Sequence, residues 1–176
     1  EEDNYEFLRW IVFRANKGGN VTIDVHGQEN IAKQDGFMFF PNHQGLYDVL
    51  AIVEACTHPF SVVAKKEVEN VPFLKQVFKI MKAFMIDRED VRQAMKTITS
   101  VTKEVVSGRN YLIFPEGTRS KNGNNVGSFK GGSFKAATKA KCPIIPVALV
   151  DSFKPFDTNS TRPVTVQVHF LKPMLY

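Results

Sequence analysis

Short apolar runs and longer helical stripes take turns along this chain, and that alternation limits its fold more than any other feature. Gly36 introduces Phe37-Met38-Phe39-Phe40, a run short and apolar enough for a buried strand. Val21 to Val25 alternates as a strand, and Phe60 to Ala64, Phe84 to Ile86, Tyr111 to Phe114, Ile144 to Val150 and Val164 to Phe170 read the same way. Between them, helices are expected over Leu46 to Ala55, over Val71 to Lys82 with Asn70 as cap and Pro72 in the first turn, and over Phe129 to Ala140. Asp90 to Ser107 is the clearest helix, with Val91, Ala94, Met95, Ile98, Val101 and Val105 on one stripe and Gly108 just past its end. Strands and helices in alternation predict a single-domain α/β sandwich around a largely parallel, mixed sheet.

Composition narrows the class. The 176 residues carry 23 Lys plus Arg against 18 Asp plus Glu, a net charge of +5, with 43% hydrophobic residues. That is the make-up of one globular domain, which excludes disorder and collagen-like repeats, and no internal repeat indicates a solenoid. Cys56 and Cys142 stand far apart with no Cys-x-x-Cys pair, so neither a disulfide framework nor a structural zinc site is indicated, and a reducing compartment fits. The N-x-Thr triplets at Asn20 and Asn159 lack a secretory context. No stretch reaches the roughly 18 uninterrupted apolar residues of a spanning helix. The chain begins at Glu1 without a Met and stops at Tyr176 just after a strand-like run, which reads as two cut ends and leaves room for an anchor upstream. Residues 1–16 carry Phe7, Leu8, Trp10, Ile11, Val12 and Phe13 between Arg9 and Arg14, as an interfacial helix or anchor remnant would, and equally as a terminal helix docked on the core.

The surplus positive charge implies anionic partners: nucleic acid, a lipid surface or a phosphorylated substrate. Lys and Arg are spread along the chain instead of forming one stripe with aromatics, which argues against nucleic acid. Gly127 and Gly132 have P-loop spacing, but Ser133 stands where a Lys is required. His26, His58 and His169 stand alone, and no metal motif is present.

Three polar clusters fall where strands end, the usual place for sites in open α/β sheets. The first is Asn42-His43-Gln44-Gly45-Leu46-Tyr47-Asp48. On a continuous helix His43 and Asp48 would lie about 140° apart, so they meet only if His43 sits in the turn before the helix and Asp48 in its first turn. The carboxylate would then fix the imidazole tautomer and leave the other ring nitrogen as a general base. A His with an Asp five residues later arises by chance in roughly one chain in five, so this pair alone decides nothing. The second cluster is Phe114-Pro115-Glu116-Gly117-Thr118-Arg119-Ser120, with a strand stop, a glycine turn and a guanidinium suited to phosphate. The third is Ile86-Asp87-Arg88, which by itself reads first as a helix start with Asp87 capping and Arg88 solvated.

Taken together these clusters resemble the glycerolipid acyltransferase family. Asn42-His43 through Asp48, Phe84 through Arg88, Phe114 through Ser120, and Ile145-Pro146-Val147 match its four motif blocks in order. A run like Phe114 to Arg119 would arise by chance in only about one in several hundred thousand chains of this length. The likeness extends from about Val21 to Val168, is closest to bacterial 1-acyl-glycerol-3-phosphate acyltransferases, and includes Gln28-Glu29-Asn30-Ile31 and Ala64-Lys65-Lys66-Glu67. Gly45 stands where members often have Ser, and Lys82-Ala83 where they often have Gly, departures that bear on substrate preference and not on the His and Asp pair.

The resemblance implies an acyltransferase that moves a fatty acyl group from acyl-CoA or acyl carrier protein to the sn-2 hydroxyl of lysophosphatidic acid, giving phosphatidic acid at the cytoplasmic face of the cell membrane. His43 is the implied base and Asp48 its partner. Arg119, Arg88 and Lys65 are the implied phosphate grip, with Glu116, Gly117 and Thr118 shaping the acceptor pocket. Pro146 and its strand line a channel or simply the core. The resemblance implies no cofactor or metal, only the thioester co-substrate and an anionic membrane surface. With no Gly-x-Ser-x-Gly elbow and no cysteine beside the histidine in sequence, direct attack in a ternary complex is favoured over an acyl-enzyme. Two rivals stand: an enzyme of the same family acting on glycerol 3-phosphate or another lyso-lipid, and a non-catalytic basic membrane-binding module.

Overall fold

Residues 2–68, 71–72, 74–87, 90–158 and 161–175 are described by the structure, a computed structural model. One sheet holds β1 (Val21–His26), β2 (Met38–Pro41), β3 (Phe60–Lys65), β4 (Phe84–Ile86), β5 (Asn110–Leu112), β6 (Ile144–Val150) and β7 (Val164–Phe170), in the order β1-β7-β6-β2-β5-β3-β4. Every neighbouring pair is parallel except β6 with β7, so the expected mixed, largely parallel sheet is present. Strands β2 to β6 therefore all end at one edge of the sheet, and the first two polar clusters, with Ile86 and Asp87 of the third, lie there.

Side chains of period two explain the layers. Met38 lies opposite Tyr111 and Ile144, and Phe39 opposite Leu112 and Ile145, so each rank of side chains faces one side of the sheet. Phe37, Phe39, Leu112 and Ile145 pack under α1 (Glu2–Gly18), α2 (Asp48–Ala55) and α3 (Leu74–Ile80). Met38, Phe40, Tyr111 and Ile144 meet α4 (Val91–Val106) and α5 (Lys135–Ala140) on the other face. Phe37, Met38 and Phe39 are wholly inaccessible, and each such side chain contributes roughly 1.5–3 kcal/mol of burial. The Phe37–Phe40 run contributes to both cores.

Helix α1 docks on the core along one face and leaves its other face exposed. Tyr5, Leu8, Val12 and Asn16 are buried against the domain, while Phe7, Trp10 and Phe13 are exposed. Arg9 fastens the helix by donating to the carbonyls of Val53 and Glu54 at 3.1 and 3.2 Å. Among the described residues no helix is long and apolar enough to cross a membrane.

Three expectations change. Of the expected α4 stripe only Val101 and Val105 are buried, with Thr97 beside them; Val91 is 71% and Met95 42% exposed, because the 16-residue helix runs past β4 and β5, which have three residues each. Asp90 does cap it, accepting from the Gln93 N–H at 3.0 Å. The helix expected from Phe129 starts only at Lys135, after a 3-10 turn over Gly131–Phe134, since the backbone of Lys130 donates instead to the Pro115 carbonyl at 2.8 Å. Helix α3 is shorter than the pattern indicated, and its expected cap Asn70 lies outside the described residues, as does Asn159. A four-residue helix, α6 (Lys154–Asp157), was not anticipated.

Candidate active site

The site begins where β2 runs out. The side chain of Asn42 continues the ladder in place of backbone, donating Nδ2 to the Leu149 carbonyl at 3.0 Å and accepting the Leu149 N–H on Oδ1 at 2.7 Å. The main chain is thereby free to turn away, and His43 lies in that turn with Asp48 in the first turn of α2, as the spacing required. His43 Nδ1 and Asp48 Oδ2 are 2.8 Å apart. An ionised carboxylate only accepts, so Nδ1 carries the proton and Nε2 the lone pair.

Asp48 is fully buried and multiply bonded. Its Oδ2 also accepts the Gln44 N–H at 2.7 Å, the Gly45 N–H lies 3.1 Å from both oxygens, and the Ser152 hydroxyl donates to Oδ1. Buried charge is tolerable only with such compensation. Among the described residues, no partner bonds His43 Nε2.

The Phe114–Ser120 segment holds the histidine from the other side. Its ring stacks on Phe114 with centroids 3.9 Å apart and planes at 20°. Glu116 Oε1 accepts the His43 N–H at 2.7 Å, and the His43 carbonyl accepts the Ser120 N–H at 2.7 Å. Glu116 Oε2 takes the Gly127 N–H, also at 2.7 Å. A side chain at position 127 would put a Cβ 2.7 Å from that same oxygen, which is why glycine stands there. Glu116, expected to shape the acceptor pocket, is 4% exposed, and its two oxygens accept from the backbone N–H groups of His43 and Gly127. Gly117, at φ 73°, makes the turn that brings Thr118 and Arg119 around to the cleft.

That cleft measures about 280 Å³ and is lined by His43, Gly117, Thr118, Arg119 and Lys65 together with apolar residues that include Val49, Val62, Leu74 and Phe78. Among the described residues, two cations and one carboxylate, Glu67, are in its wall, a balance that favours an anion near the imidazole. Arg119 also borders a neighbouring hollow with Gln44, Lys121 and Phe153. Arg88 lies outside the described residues. Ile145 and Val147 are buried in the core, so the fourth block supports the site from below.

Residues 22–150 match the family model described as Acyltransferase. This chain is a member of the acyltransferase family. Its sequence is 33% identical over 159 residues to the 1-acyl-sn-glycerol-3-phosphate acyltransferase of Borreliella burgdorferi, covering 88% of this chain and 63% of that one. The Escherichia coli enzyme of the same name is 33% identical over 138 residues, 78% of this chain and 56% of the relative, so the chain spans roughly three fifths of the length of these relatives. The fold matches that of the 1-acyl-sn-glycerophosphate (LPA) acyltransferase PlsC from Thermotoga maritima with a TM-score of 0.78 at 23% identity, over 97% of this chain and 68% of the other. Sequence reasoning missed three supporting members of this acyltransferase site: Asn42 as a ladder clamp, Gln44 as a buried bridge and Ser152. Asn42 and Gln44 stood inside a recognised block, but nothing in the sequence singled out Ser152, 104 residues from its partner.

Proposed function

We propose that this acyltransferase carries a fatty acyl group from a thioester, on coenzyme A or acyl carrier protein, to the sn-2 hydroxyl of 1-acyl-glycerol 3-phosphate, giving phosphatidic acid. The observation that carries the reading is the His43 and Asp48 pair at 2.8 Å with its second nitrogen on a cleft walled by Arg119 and Lys65. His43 Nε2 takes the hydroxyl proton as the alcohol oxygen bonds to the thioester carbonyl carbon. When the tetrahedral adduct collapses, the C–S bond breaks and the departing sulfur receives that proton from Nε2, so thiol leaves and ester remains. A positioned base contributes roughly 10²–10⁴ in rate, and the remainder comes from holding donor and acceptor together.

Arg119 and Lys65 supply charge-assisted bonds to the acceptor phosphate, and the same role is proposed for Arg88. The apolar wall formed by Val49, Val62, Leu74 and Phe78 favours an acceptor that already bears a chain over glycerol 3-phosphate. No cofactor is needed. The exposed face of α1, where Phe7 stacks on Trp10 at 6.0 Å and Lys17 lies 4.7 Å from the Phe13 ring, is suited to an anionic bilayer at the cytoplasmic face of the cell membrane. The test is purified chain offered lysophosphatidic acid in anionic vesicles with acyl-CoA or acyl carrier protein, thiol release being followed. Turnover dependent on the lyso-lipid is expected; vesicle binding without thiol release would favour an inert membrane module. Trp10 is the sole tryptophan, so its fluorescence should shift to the blue on those vesicles.

A further inference from the structure

We propose that Ser152 is a positioning residue for acyl transfer, acting through Asp48 by holding the carboxylate oxygen that the histidine does not use. The inference rests on the acyl-transfer reading above and extends it to a part of the chain outside all four motif blocks.

Strand β6 ends at Val150, and Asp151 takes the left-handed conformation, φ 62°, which turns the chain across the edge of the sheet where the site lies. Ser152 follows with no exposed surface. Among the described residues, the hydroxyl's only hydrogen-bond partner is Asp48 Oδ1. On the Asp48 carboxylate, Oδ2 serves His43 and the Gln44 N–H, whereas Oδ1 otherwise has only the Gly45 N–H, shared between both oxygens at 3.1 Å. Removing the hydroxyl takes away the one donor committed to Oδ1, so the carboxylate is held less firmly about its Cβ–Cγ bond and Oδ2 can drift off the Nδ1–H direction. Hydrogen bonds to charged groups are the ones whose loss is most costly, and here the cost falls on the alignment of the base.

The backbone of the same residue reinforces the arrangement. Ser152 N–H donates to Gln44 Oε1 at 2.8 Å, and Gln44, only 2% exposed, passes its Nε2 to Asn124 Oδ1 at 2.8 Å. Asn124 in turn donates to Asp151 Oδ1 at 3.0 Å and accepts the Asp151 N–H at 2.8 Å. Two adjacent residues thus divide the work: Asp151 fastens the loop that follows Arg119, and Ser152 fastens the partner of the base.

The experiment uses the full chain as wild type, Ser152→Ala, Ser152→Cys, Asp48→Ala and the double variant Asp48→Ala with Ser152→Ala, each with its thermal midpoint measured. With lysophosphatidic acid and acyl-CoA, Ser152→Ala should lower kcat roughly ten- to hundredfold, the range for losing a hydrogen bond to a charged group, with both KM values within about twofold. Ser152→Cys, whose thiol donates weakly, should fall between it and wild type. In the Asp48→Ala background the serine change should cost nothing further, because its effect passes through the carboxylate. An unchanged kcat in a folded Ser152→Ala protein, or an equal loss with and without Asp48, overturns the proposal; if Ser152→Ala does not fold, the Ser152→Cys protein decides by the same criteria. Wild type that releases no thiol would count against the acyl-transfer reading instead. The Ser152 proposal is then decided by the His43 Nδ1–H proton resonance, expected far downfield in wild type and moved in the serine variants, an unmoved resonance overturning it.

Discussion

Two histidine and aspartate pairs of nearly equal length lie at opposite edges of this sheet. His43 and Asp48 meet at 2.8 Å where the parallel strands end; His58 and Asp35 meet at 2.9 Å where they begin. Distance does not distinguish them, but surroundings do. The Asp48 side chain is 0% and the Asp35 side chain 48% accessible. Asp48 is held by two backbone N–H groups and a hydroxyl, whereas Asp35 receives one side-chain amide, that of Asn110 at 2.8 Å. The hollow beside His58 is bordered by Glu2, Asp3, Glu6 and Asp35, and the cleft beside His43 by Arg119 and Lys65. The field at the first of these hollows disfavours a phosphate group and that at the second favours one. Burial, donor number and local field, not contact length, make a candidate base.

The sharpest way to break that comparison is to remove each imidazole. His43→Ala should reduce thioester turnover by about 10³-fold or more, and His58→Ala should leave it within about twofold, with both thermal midpoints recorded. Comparable losses would erase the distinction. The carboxylates come next: Asp48→Ala should cost about 10²-fold or more in kcat, while Asp35→Ala should alter stability alone, measured by chemical denaturation beside the activity. The local field is tested by Arg119→Ala, expected to raise the acceptor KM roughly tenfold or more with a smaller change in kcat. A shift confined to the thioester KM would move the phosphate elsewhere.

Cysteine supplies a further contrast. Cys56 lies beside the second pair, its Sγ 3.5 Å from the His58 carbonyl, and would be the nucleophile if chemistry ran at that edge. Burial pushes the Cys56 thiol up to about 12 and the Cys142 thiol up to about 11, so both are neutral thiols at working pH. Iodoacetamide at pH 8 should label neither until the protein unfolds and should leave turnover intact; rapid labelling with loss of activity would count for an acyl-enzyme. The smallest effect is at Asp151. Burial alone would raise its carboxyl, but the bonds from Lys154 and Asn124 outweigh that and hold it below the ordinary value of 3.8. Its stabilisation is therefore present above that value and is lost as pH falls through the lowered one. The Tm difference between wild type and Asp151→Asn should be steady above about pH 5 and shrink below pH 3.8.

Elements whose side chains follow one period over several residues were legible, and so β6 and β7 match their expected limits. The Phe37–Phe40 run marked the centre of the sheet because a strand covered on both faces needs apolar side chains on both. The pairing of His43 with Asp48 was legible because it is local and constrained by helix geometry. The exposed start of α4 was not, since a stripe records which face is apolar and not how far the sheet beneath it extends. What Glu116 bonds was not legible, because the backbone groups it accepts from, those of His43 and Gly127, are brought to it by the fold. Ser152 had no signal because its contact is made by topology, through the return of β6 to the side of β2.

The most direct test of the central claim is the mass of the lipid formed when wild type and His43→Ala are each given 1-acyl-glycerol 3-phosphate and acyl-CoA. Phosphatidic acid heavier by the donor's acyl group should accumulate with wild type and be reduced to background with the variant. Equal product from both proteins, or wild-type product acylated on any other acceptor in preference, would contradict the account.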